Sequence, residues 1–225
     1  MKTTLCIDTA SSRFALALCE AGGTTVSLER AAEQDHSRLL LAAIDELIGG
    51  RLERLERVVV VRGPGSYAGL RVGIATAQGL ALALGIPVEG VGALEAVASI
   101  VAGRVTAVHP GGRGEFGAQD YDGGRPAGPL RTVTAGELEG VATAGEGAGA
   151  LGGREVGPEA RCRAALALAL ARPLDGTAAV DAIYLREPNI TTPRRTAAVT
   201  QRSEPASART TGRPASAPRR AGRKG

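Results

Sequence analysis

A run of four valines, Val58 to Val61, limits the possible folds of this 225-residue chain more than any other feature of its sequence. A strand that is apolar at every position has both faces buried, as in a parallel sheet covered by helices on both sides. The turn sequence Gly-Pro-Gly-Ser at residues 63–66 follows, and then a long segment of small apolar residues that reaches Leu84. We therefore predict a strand, a turn and a helix of a layered α/β domain.

The flanking segments extend this pattern over about 180 residues. Three strands are predicted at residues 4–8, 14–20 and 25–30, a helix at 35–48, and a further strand and helix at 87–91 and 93–101. In the second half, strands are predicted at 104–108, 114–120, 130–134 and 141–144, a helical turn at 135–140 and a helix at 159–171. We predict one domain over residues 1–102, a second, Gly-rich domain over 103–186, and a tail over 187–225.

The positive charge of the chain is concentrated at its C-terminal end. The formal net charge is +4, but residues 186–225 carry ten Lys or Arg against two acids, which leaves the rest mildly acidic. Having few large apolar side chains, this end cannot bury enough surface to offset the entropy lost on ordering. The predicted disordered basic tail is either a solvated segment without a specific ligand or an RNA-binding module that acts by electrostatic attraction.

Cysteine usage and hydropathy indicate the compartment. The three cysteines, at positions 6, 19 and 162, form neither a disulfide framework nor a CxxC zinc site, which fits a reducing cytosol. Charged residues interrupt the first apolar stretch, so no signal peptide is predicted. The longest apolar run, residues 72–88, is shorter than the roughly 20 residues that a membrane span needs. We therefore predict a cytoplasmic protein without membrane contact.

The predicted helix over residues 35–48 is apolar around more than half of its circumference. At about 100° per residue, one stripe holds His36, Leu40, Ala43 and Leu47, and Leu39 lies beside it. A helix that faces a single core needs an apolar arc of only about 100°. This helix is therefore either buried by a partner on its second side or sandwiched within its own chain.

The helix after the valine run carries a ridge of small residues spaced four apart. The ridge consists of Gly69, Gly73, Ala77 and Ala81, and Arg71 is one of the helix's two strongly polar residues. Each glycine costs a helix roughly 1 kcal/mol relative to alanine, so close packing must compensate. That packing lies either within the chain or across an interface between chains.

The turn after the first strand has two alternative interpretations. Asp8, Thr9 and Ser11 stand where actin-like phosphotransferases grip a phosphate, but Ala10 replaces the glycine that would let the backbone approach it. These residues are therefore either the remnant of a phosphate turn or are present for turn propensity alone. Ser66, before the second helix, is predicted either to cap that helix or to help bind an anion.

The two histidines, His36 and His109, form no recognisable metal or catalytic motif. A zinc-binding helix needs a second histidine four residues after the first, and Leu40 stands four residues after His36. No Ser-His-Asp pattern or nucleophile elbow is visible. We predict no catalytic residue, no metal and no cofactor of the chain's own.

Four segments of the first half form a distinctive set. They are LCIDTA at residues 5–10, HSRLL at 36–40, RGPGSYAGLRVG at 62–73 and GLALALGIPV at 79–88. Together they resemble the TsaB family, also called YeaZ, and residues 113–116, 144–147 and 184–186 resemble it more loosely. Residues 108–112, Val-His-Pro-Gly-Gly, depart from the Asp-Ala-Arg-like stretch that is usual in the family.

The resemblance implies an α/β, actin-like (ASKHA, ribonuclease H-like) fold of two similar subdomains with mixed sheets flanked by helices. It implies a non-catalytic scaffold that binds and activates a TsaD-type transferase during formation of threonylcarbamoyladenosine in tRNAs reading codons that begin with adenine. A TsaE-type ATPase supports that system, nucleotide sits at most at the joint interface, tRNA contact is indirect, and the scaffold forms a homodimer when its partner is absent. The implied interface residues are His36, Leu39, Leu40, Ala43, Leu47, Gly69, Arg71, Gly73 and Ala77.

Two alternatives from other classes remain at the level of sequence. An actin-like nucleotide-binding ATPase or kinase would need phosphate loops in both halves of the chain. An RNA-binding module acting through the tail would have an affinity that falls steeply with salt.

Overall fold

The first half of the chain forms a five-stranded mixed sheet, in a computed structural model that describes residues 3–31, 36–173 and 180–185. Its strands are β1 (Thr4–Asp8), β2 (Arg13–Cys19), β3 (Thr25–Ala31), β4 (Arg57–Val61) and β5 (Val88–Val91). The order is β3-β2-β1-β4-β5, with the first three strands antiparallel and β1, β4 and β5 mutually parallel. An antiparallel meander therefore continues into a parallel half-sheet.

Three helices follow these strands: α1 (His36–Ile48), α2 (Tyr67–Leu84) and α3 (Ala93–Ala98). Leu52–Arg54 forms a 3₁₀ turn. The Ser66 hydroxyl accepts a hydrogen bond from the Gly69 N–H at 3.3 Å, which is the predicted capping role. Gly85 ends α2 in the left-handed conformation, with φ of 64°, where a residue without Cβ is favoured. Local sequence thus sets both ends of α2.

Helices cover the first sheet on both faces. Val58 to Val61 have no exposed surface, because alternate valines point to opposite sides. On one side α1 and α2 cover a core that includes Leu5 and Val60. On the other side α4 (Pro158–Leu170) covers a core that includes Cys6 and Val61. The strand buried on both faces, predicted from the valine run, is confirmed.

The second half forms a six-stranded sheet of shorter strands. They are β6 (Arg104–Gly112), β7 (Glu115–Asp122), β8 (Arg125–Pro126), β9 (Arg131–Thr134), β10 (Thr143–Gly145) and β11 (Arg154–Glu155). The order is β11-β10-β6-β7-β8, and β9 also pairs with β7. α3 packs on one face through Leu94 and Val97, and the 3₁₀ turns Gly136–Leu138 and Ala148–Leu151 flank the other. Two mixed sheets flanked by helices confirm the predicted α/β class.

The chain returns from the second sheet to the first through α4. This helix follows β11 in the sequence yet packs mainly against β1 and β2. The described residues all belong to one compact unit, Met1–Glu187. The predicted boundaries at residues 102 and 186 stay predictions, and the predicted tail, residues 187–225, lies outside the described residues.

A short final segment, residues 180–185, lies against both sheets. The Ile183 N–H donates to the Arg62 carbonyl at 2.7 Å beside β4. The Leu185 side chain lies so close to Gly117 of β7 that a Cβ there would overlap it. Tyr184 contacts Tyr67 at the start of α2, with ring centroids 5.0 Å apart. This segment therefore links α2 and β4 to the β6–β7 hairpin.

α2 is the single helix in the described ranges that is long and apolar enough to cross a membrane by length and composition. A third of this helix is buried within the protein. Core helices of soluble proteins can have the same length and composition, so these two properties do not by themselves indicate a membrane span. Its inner residues pack on the first sheet, as predicted for a core helix.

Candidate functional site: a closed cleft and an apolar helix face

A buried ion pair joins the end of β1 to α4. Arg161 Nε donates to Asp8 Oδ2 at 2.7 Å, and Arg161 Nη2 lies 3.2 Å from Asp8 Oδ1. Both side chains are completely buried. Asp8 also accepts from the Ala10 N–H at 3.0 Å. Two-point pairing of this kind fixes the relative orientation of the two side chains in addition to pairing their charges.

Ser11, from the turn after β1, and two side chains of the second half, His109 and Glu146, complete this cluster. Arg161 donates through Nη1 to Glu146 Oε2 at 2.9 Å and through Nη2 to Ser11 Oγ at 2.8 Å. Ser11 in turn donates to the Glu146 carboxylate. His109 of β6 places Nε2 3.5 Å from both Glu146 Oε2 and Ser11 Oγ. We call Asp8, Ser11, His109, Glu146 and Arg161 the cleft cluster.

The cleft cluster shifts the protonation of its own members. Burial and the nearby Arg161 charge lower the pKa of His109 to about 4, against the opposing effect of Glu146. Burial by itself would raise the pKa of Glu146, but the Ser11 hydrogen bond and the Arg161 charge outweigh it and lower that pKa. Burial by itself would lower the pKa of Arg161, but the charges and hydrogen bonds of Asp8 and Glu146 together outweigh it and raise that pKa. At neutral pH the imidazole of His109 is therefore neutral, whereas Glu146 and Arg161 carry their charges.

The buried imidazole predicts an acid-sensitive stability. The unfolded chain takes up a proton at His109 near pH 6.5, whereas the folded chain does so only near pH 4. The contribution of the neutral His109 to the free energy of unfolding is therefore complete above about pH 6.5. It declines as the pH falls toward 4, by about 2 kcal/mol between about pH 7 and pH 5. Urea unfolding at both pH values measures it.

The matched variant for this prediction is His109→Gln, which keeps a polar side chain without the titration. Its unfolding free energy should change less between the two pH values than that of the unsubstituted chain, by the same amount of about 2 kcal/mol. Equal pH dependence in the two proteins would contradict the assignment of a neutral, buried imidazole.

The cluster leaves the cleft little capacity to hold a charged ligand. The Asp8 carboxylate already accepts three hydrogen bonds, and the Arg161 charge lies between two carboxylates. Over residues 3–31, 36–173 and 180–185, no group of three or more His, Cys, Asp or Glu is arranged to hold a metal ion. Of the predicted phosphate-turn remnant, Asp8 and Ser11 belong to the cluster, whereas Thr9 lies beneath α2.

Three members of the cluster were not among the predicted site residues: His109, Glu146 and Arg161. A helical wheel contains a signal for Arg161, because it shares a stripe with the buried Ala165 and Ala169. A charged residue on an apolar stripe indicates a buried partner. No comparable signal identifies that partner, because Asp8 stands 153 positions away in the sequence.

The small-residue ridge of α2 faces the protein's own interior. A Cβ at Gly69 would overlap the Thr9 carbonyl oxygen, and a Cβ at Gly73 would overlap the Thr9 hydroxyl. Ala77 is completely buried in the core beneath α1 and α2. Close packing within the chain is thus the correct alternative, and the predicted placement of these three residues on a partner interface is wrong.

On α1 the predicted interface divides between core and surface. Leu40 and Ala43 have no exposed surface and pack in the core of the first sheet, so the prediction is wrong for them. Leu47 is half-buried against the same core. Leu39 is 36% exposed, and Leu41, which was not among the predicted interface residues, is 53% exposed. His36 begins the helix, and its predicted role stays a prediction.

The outer face of α2, opposite the ridge, is apolar and exposed. Ala68, Ala75, Gly79 and Leu82 lie along it, at spacings that keep them on one side of a helix. Leu82 is 86% exposed, an unusual environment for a large apolar side chain, and nothing lies within 4 Å of a Cβ at Gly79. We call these four residues the α2 outer face.

Arg71 is the charged residue beside the α2 outer face, and it is exposed; its predicted place on a partner interface stays a prediction. Its Nη1 donates to the Tyr67 hydroxyl at 2.8 Å, and its guanidinium carbon lies 5.4 Å from the centre of the Tyr67 ring. The start of the face therefore carries one positive charge and one aromatic ring, and the rest is small or aliphatic.

The known proteins with similar sequences include named TsaB proteins and uncharacterized mycobacterial proteins. The chain is 35% identical to the Haemophilus influenzae tRNA threonylcarbamoyladenosine biosynthesis protein TsaB over 99 residues, 43% of this chain and 42% of that protein. It is 34% identical to an uncharacterized Mycobacterium tuberculosis protein over 156 residues, 66% of this chain and 73% of that protein. The chain thus spans less than half the length of the TsaB protein that it matches.

A family model and a solved structure agree with these relatives. The model described as TsaD, tRNA N6-adenosine threonylcarbamoyltransferase, matches residues 28–125. A crystal structure from Pseudomonas aeruginosa, of an uncharacterized protein with similarity to peptidase YeaZ, superposes with a TM-score of 0.68 at 27% identity. That match covers 83% of this chain and all of the other.

The two mixed sheets, with an ion cluster closing the cleft between them, belong to an α/β protein of the actin-like (ASKHA) fold. Within that class, the chain belongs to the TsaB (YeaZ) family.

Proposed function

We propose that this chain is a non-catalytic subunit in the formation of threonylcarbamoyladenosine in tRNAs reading codons that begin with adenine. In this role it docks the α2 outer face, with the exposed flanks of α1, against a TsaD-type transferase and activates it. The observation that carries the proposal is the exposed apolar side of α2, in a family whose named members belong to this pathway.

The chemistry of the α2 outer face fits a helical partner. Alanines and a glycine let a second helix approach closely, and Leu82 supplies a large apolar side chain to bury. Clustered apolar exposure of this kind marks interaction surfaces in soluble proteins. α1 packs beside α2 on the same core, so Leu39 and Leu41 are available to widen the contact.

The closed cleft supports an accessory role over a catalytic one. An actin-like ATPase or kinase needs a free acidic residue near its metal, whereas Asp8 here is buried against Arg161. The nucleotide-binding alternative predicts that the isolated chain binds nucleotide when it is titrated. The buried pair of Asp8 and Arg161 disfavours such binding. The RNA-binding alternative depends on residues 187–225, outside the described part of the chain.

The remaining partners follow from the same proposal. A TsaE-type ATPase acts on the assembled pair, nucleotide binds at most at the joint interface, and tRNA contact is indirect. Without the transferase, the α2 outer face is free to pair with a second copy of this chain, since leaving it in water is unfavourable. The setting is the cytoplasm.

Sedimentation of this chain with the TsaD-type subunit of the same cell tests the proposal. Leu82→Glu should weaken the heterodimer at least about 30-fold, because it places a charge where an apolar side chain would be buried, a loss typical of an interface hot spot. Glutamate is a good helix former, and Leu82 is 86% exposed, so the fold should be unaffected.

The control for this experiment is Val141→Glu, which makes the same chemical change at a position 38% exposed and distant in sequence from α1 and α2. Its heterodimer should remain as tight as that of the unsubstituted chain. If Leu82→Glu and Val141→Glu bind alike, the interface is elsewhere. If the unsubstituted chain forms no complex at micromolar concentration, with or without tRNA and nucleotide, the proposed function is wrong.

A further inference from the structure

The β1–β2 turn, residues 8–11, lies between the cleft cluster and α2. Its first and last members, Asp8 and Ser11, are both hydrogen-bonded to Arg161. Its two middle members, Thr9 and Ala10, lie against α2 and the turn before it. The same four residues are therefore held by the cluster on one side and support the helix on the other.

The contact between turn and helix leaves no spare room. A Cβ at Gly65, Gly69 or Gly73 would overlap Ala10 or Thr9. In addition, the Ser66 N–H donates to the Ala10 carbonyl at 2.7 Å. Because the helix and the turn before it touch the Ala10 and Thr9 backbone at Gly65 and Gly69, and the short Thr9 side chain at Gly73, a displacement of the turn must displace this part of α2.

The contact between turn and cluster runs mainly through one side chain, Arg161, with the hydrogen bond from Ser11 to Glu146 beside it. Arg161 supplies three donor nitrogens, which reach Asp8, Ser11 and Glu146. A planar guanidinium can satisfy carboxylates on two sides at fixed angles, which a lysine ammonium cannot do. The position of the turn is therefore set from α4, on the opposite face of the first sheet from α2.

We propose that Arg161 is a positioning residue for the docking helix: through Asp8 and Ser11 it fixes the turn on which the first half of α2 lies. The cleft cluster is thus held together by the chain's own cation, and this cation holds the partner surface in its binding geometry without a ligand. The inference rests on the proposed function for its consequence, but not for the physical coupling itself.

The effect of Arg161 on α2 is expected to differ between the two halves of the helix. Residues 66–73 lie on the turn, whereas Ala77 and Leu84 pack in the core shared with α1. Disturbing Arg161 should therefore loosen the first half of α2 and leave its second half protected. General destabilisation would loosen both halves together, and this difference separates positioning from a merely structural role.

Amide hydrogen exchange on the isolated full chain, under native conditions, tests the coupling without any partner. In Arg161→Ala, amides of residues 69–76 should exchange at least about tenfold faster than in the unsubstituted chain, with residues 78–84 changing much less. Millimolar guanidinium ion should reverse the effect by filling the vacated position, whereas methylammonium should not. Arg163→Ala, two residues further along α4 and exposed, is the matched control and should change neither half.

A milder variant covers the case in which Arg161→Ala does not fold. Ser11→Ala removes one hydrogen bond from Arg161 and one to Glu146 while keeping the ion pair with Asp8. It should raise exchange in residues 69–76 in the same pattern, to a smaller extent. Uniform acceleration along α2 in whichever variants fold, or no change in Ser11→Ala, would overturn the inference.

Binding to the TsaD-type subunit then separates this inference from the proposed function. If both hold, Arg161→Ala should bind the transferase more weakly, and guanidinium ion should restore the affinity. If the exchange pattern appears but the unsubstituted chain binds no transferase, the coupling stands and the proposed function fails. Binding by Arg161→Ala as tight as that of the unsubstituted chain would overturn the inference alone.

Discussion

Replacing Arg161 by methionine is expected to lower the free energy of unfolding by about 3–5 kcal/mol, because it removes one partner of a buried ion pair. The change leaves the Asp8 carboxylate completely buried with no opposing charge. It also removes three hydrogen bonds of Arg161 to Asp8 and Ser11. Urea unfolding at neutral pH, with Arg163→Met as the surface control, measures the loss.

A second substitution tests the reason for that loss. Asp8→Leu combined with Arg161→Met removes both charges together, and a buried pair replaced by apolar side chains of similar volume is often neutral in stability. Glu146 keeps access to water, with its side chain 24% exposed, so it tolerates the loss of its partner. The double variant should recover more than half of the stability lost by the single one. Equal instability of the two would show that packing volume, and not the unpaired charge, is the cause.

Gly73→Leu is expected to destabilise the fold by about 3 kcal/mol or more, because overpacking of a tight contact is costly and here the neighbour is the buried Thr9 side chain. Gly79→Leu on the same helix is the matched control. Nothing lies within 4 Å of a Cβ at Gly79, and leucine favours helix over glycine, so its stability should rise by up to about 1 kcal/mol.

The contrast between these two glycines distinguishes the inner and outer faces of α2. Thermal unfolding of both variants should move the midpoint in opposite directions, and heterodimer formation should be obstructed by Gly79→Leu in a protein that is fully folded. A Gly73→Leu protein as stable as the unsubstituted chain would contradict the close contact with Thr9. A Gly73 variant can therefore not be used to map the docking surface, because it acts on the fold first.

Much of the first sheet could be predicted from local patterns. The valine run and the alternating segments place β1 to β5 within one or two residues, because a strand's burial is recorded directly in its residue types. The second sheet was predicted less completely. β8 and β11 have two residues each, too few to show any period, and β6 continues through Pro110 to Gly112 because pairing with β7 continues.

The candidate site could be predicted only in part. The motifs at residues 36–40 and 62–73 indicated the family and the two helices involved, and Arg71 and Leu39 are exposed as an interface requires. Which side of each helix is free was not predictable from its periodicity. α1 and α2 each have apolar residues on more than one side, and amphipathic pattern identifies the buried side only when the other side is polar.

The sequence by itself determined the α/β class, the family and the glycines that α2 needs, since these follow from residue types within short segments. Only the tertiary structure decided that those glycines lie on Thr9, that Leu82 and its neighbours form the free face, and that Arg161 and Asp8 close the cleft. The physical reason is distance along the chain. The pair between Asp8 and Arg161 forms across 153 positions, when α4 returns to the first sheet, and no local pattern records which residues that return brings together.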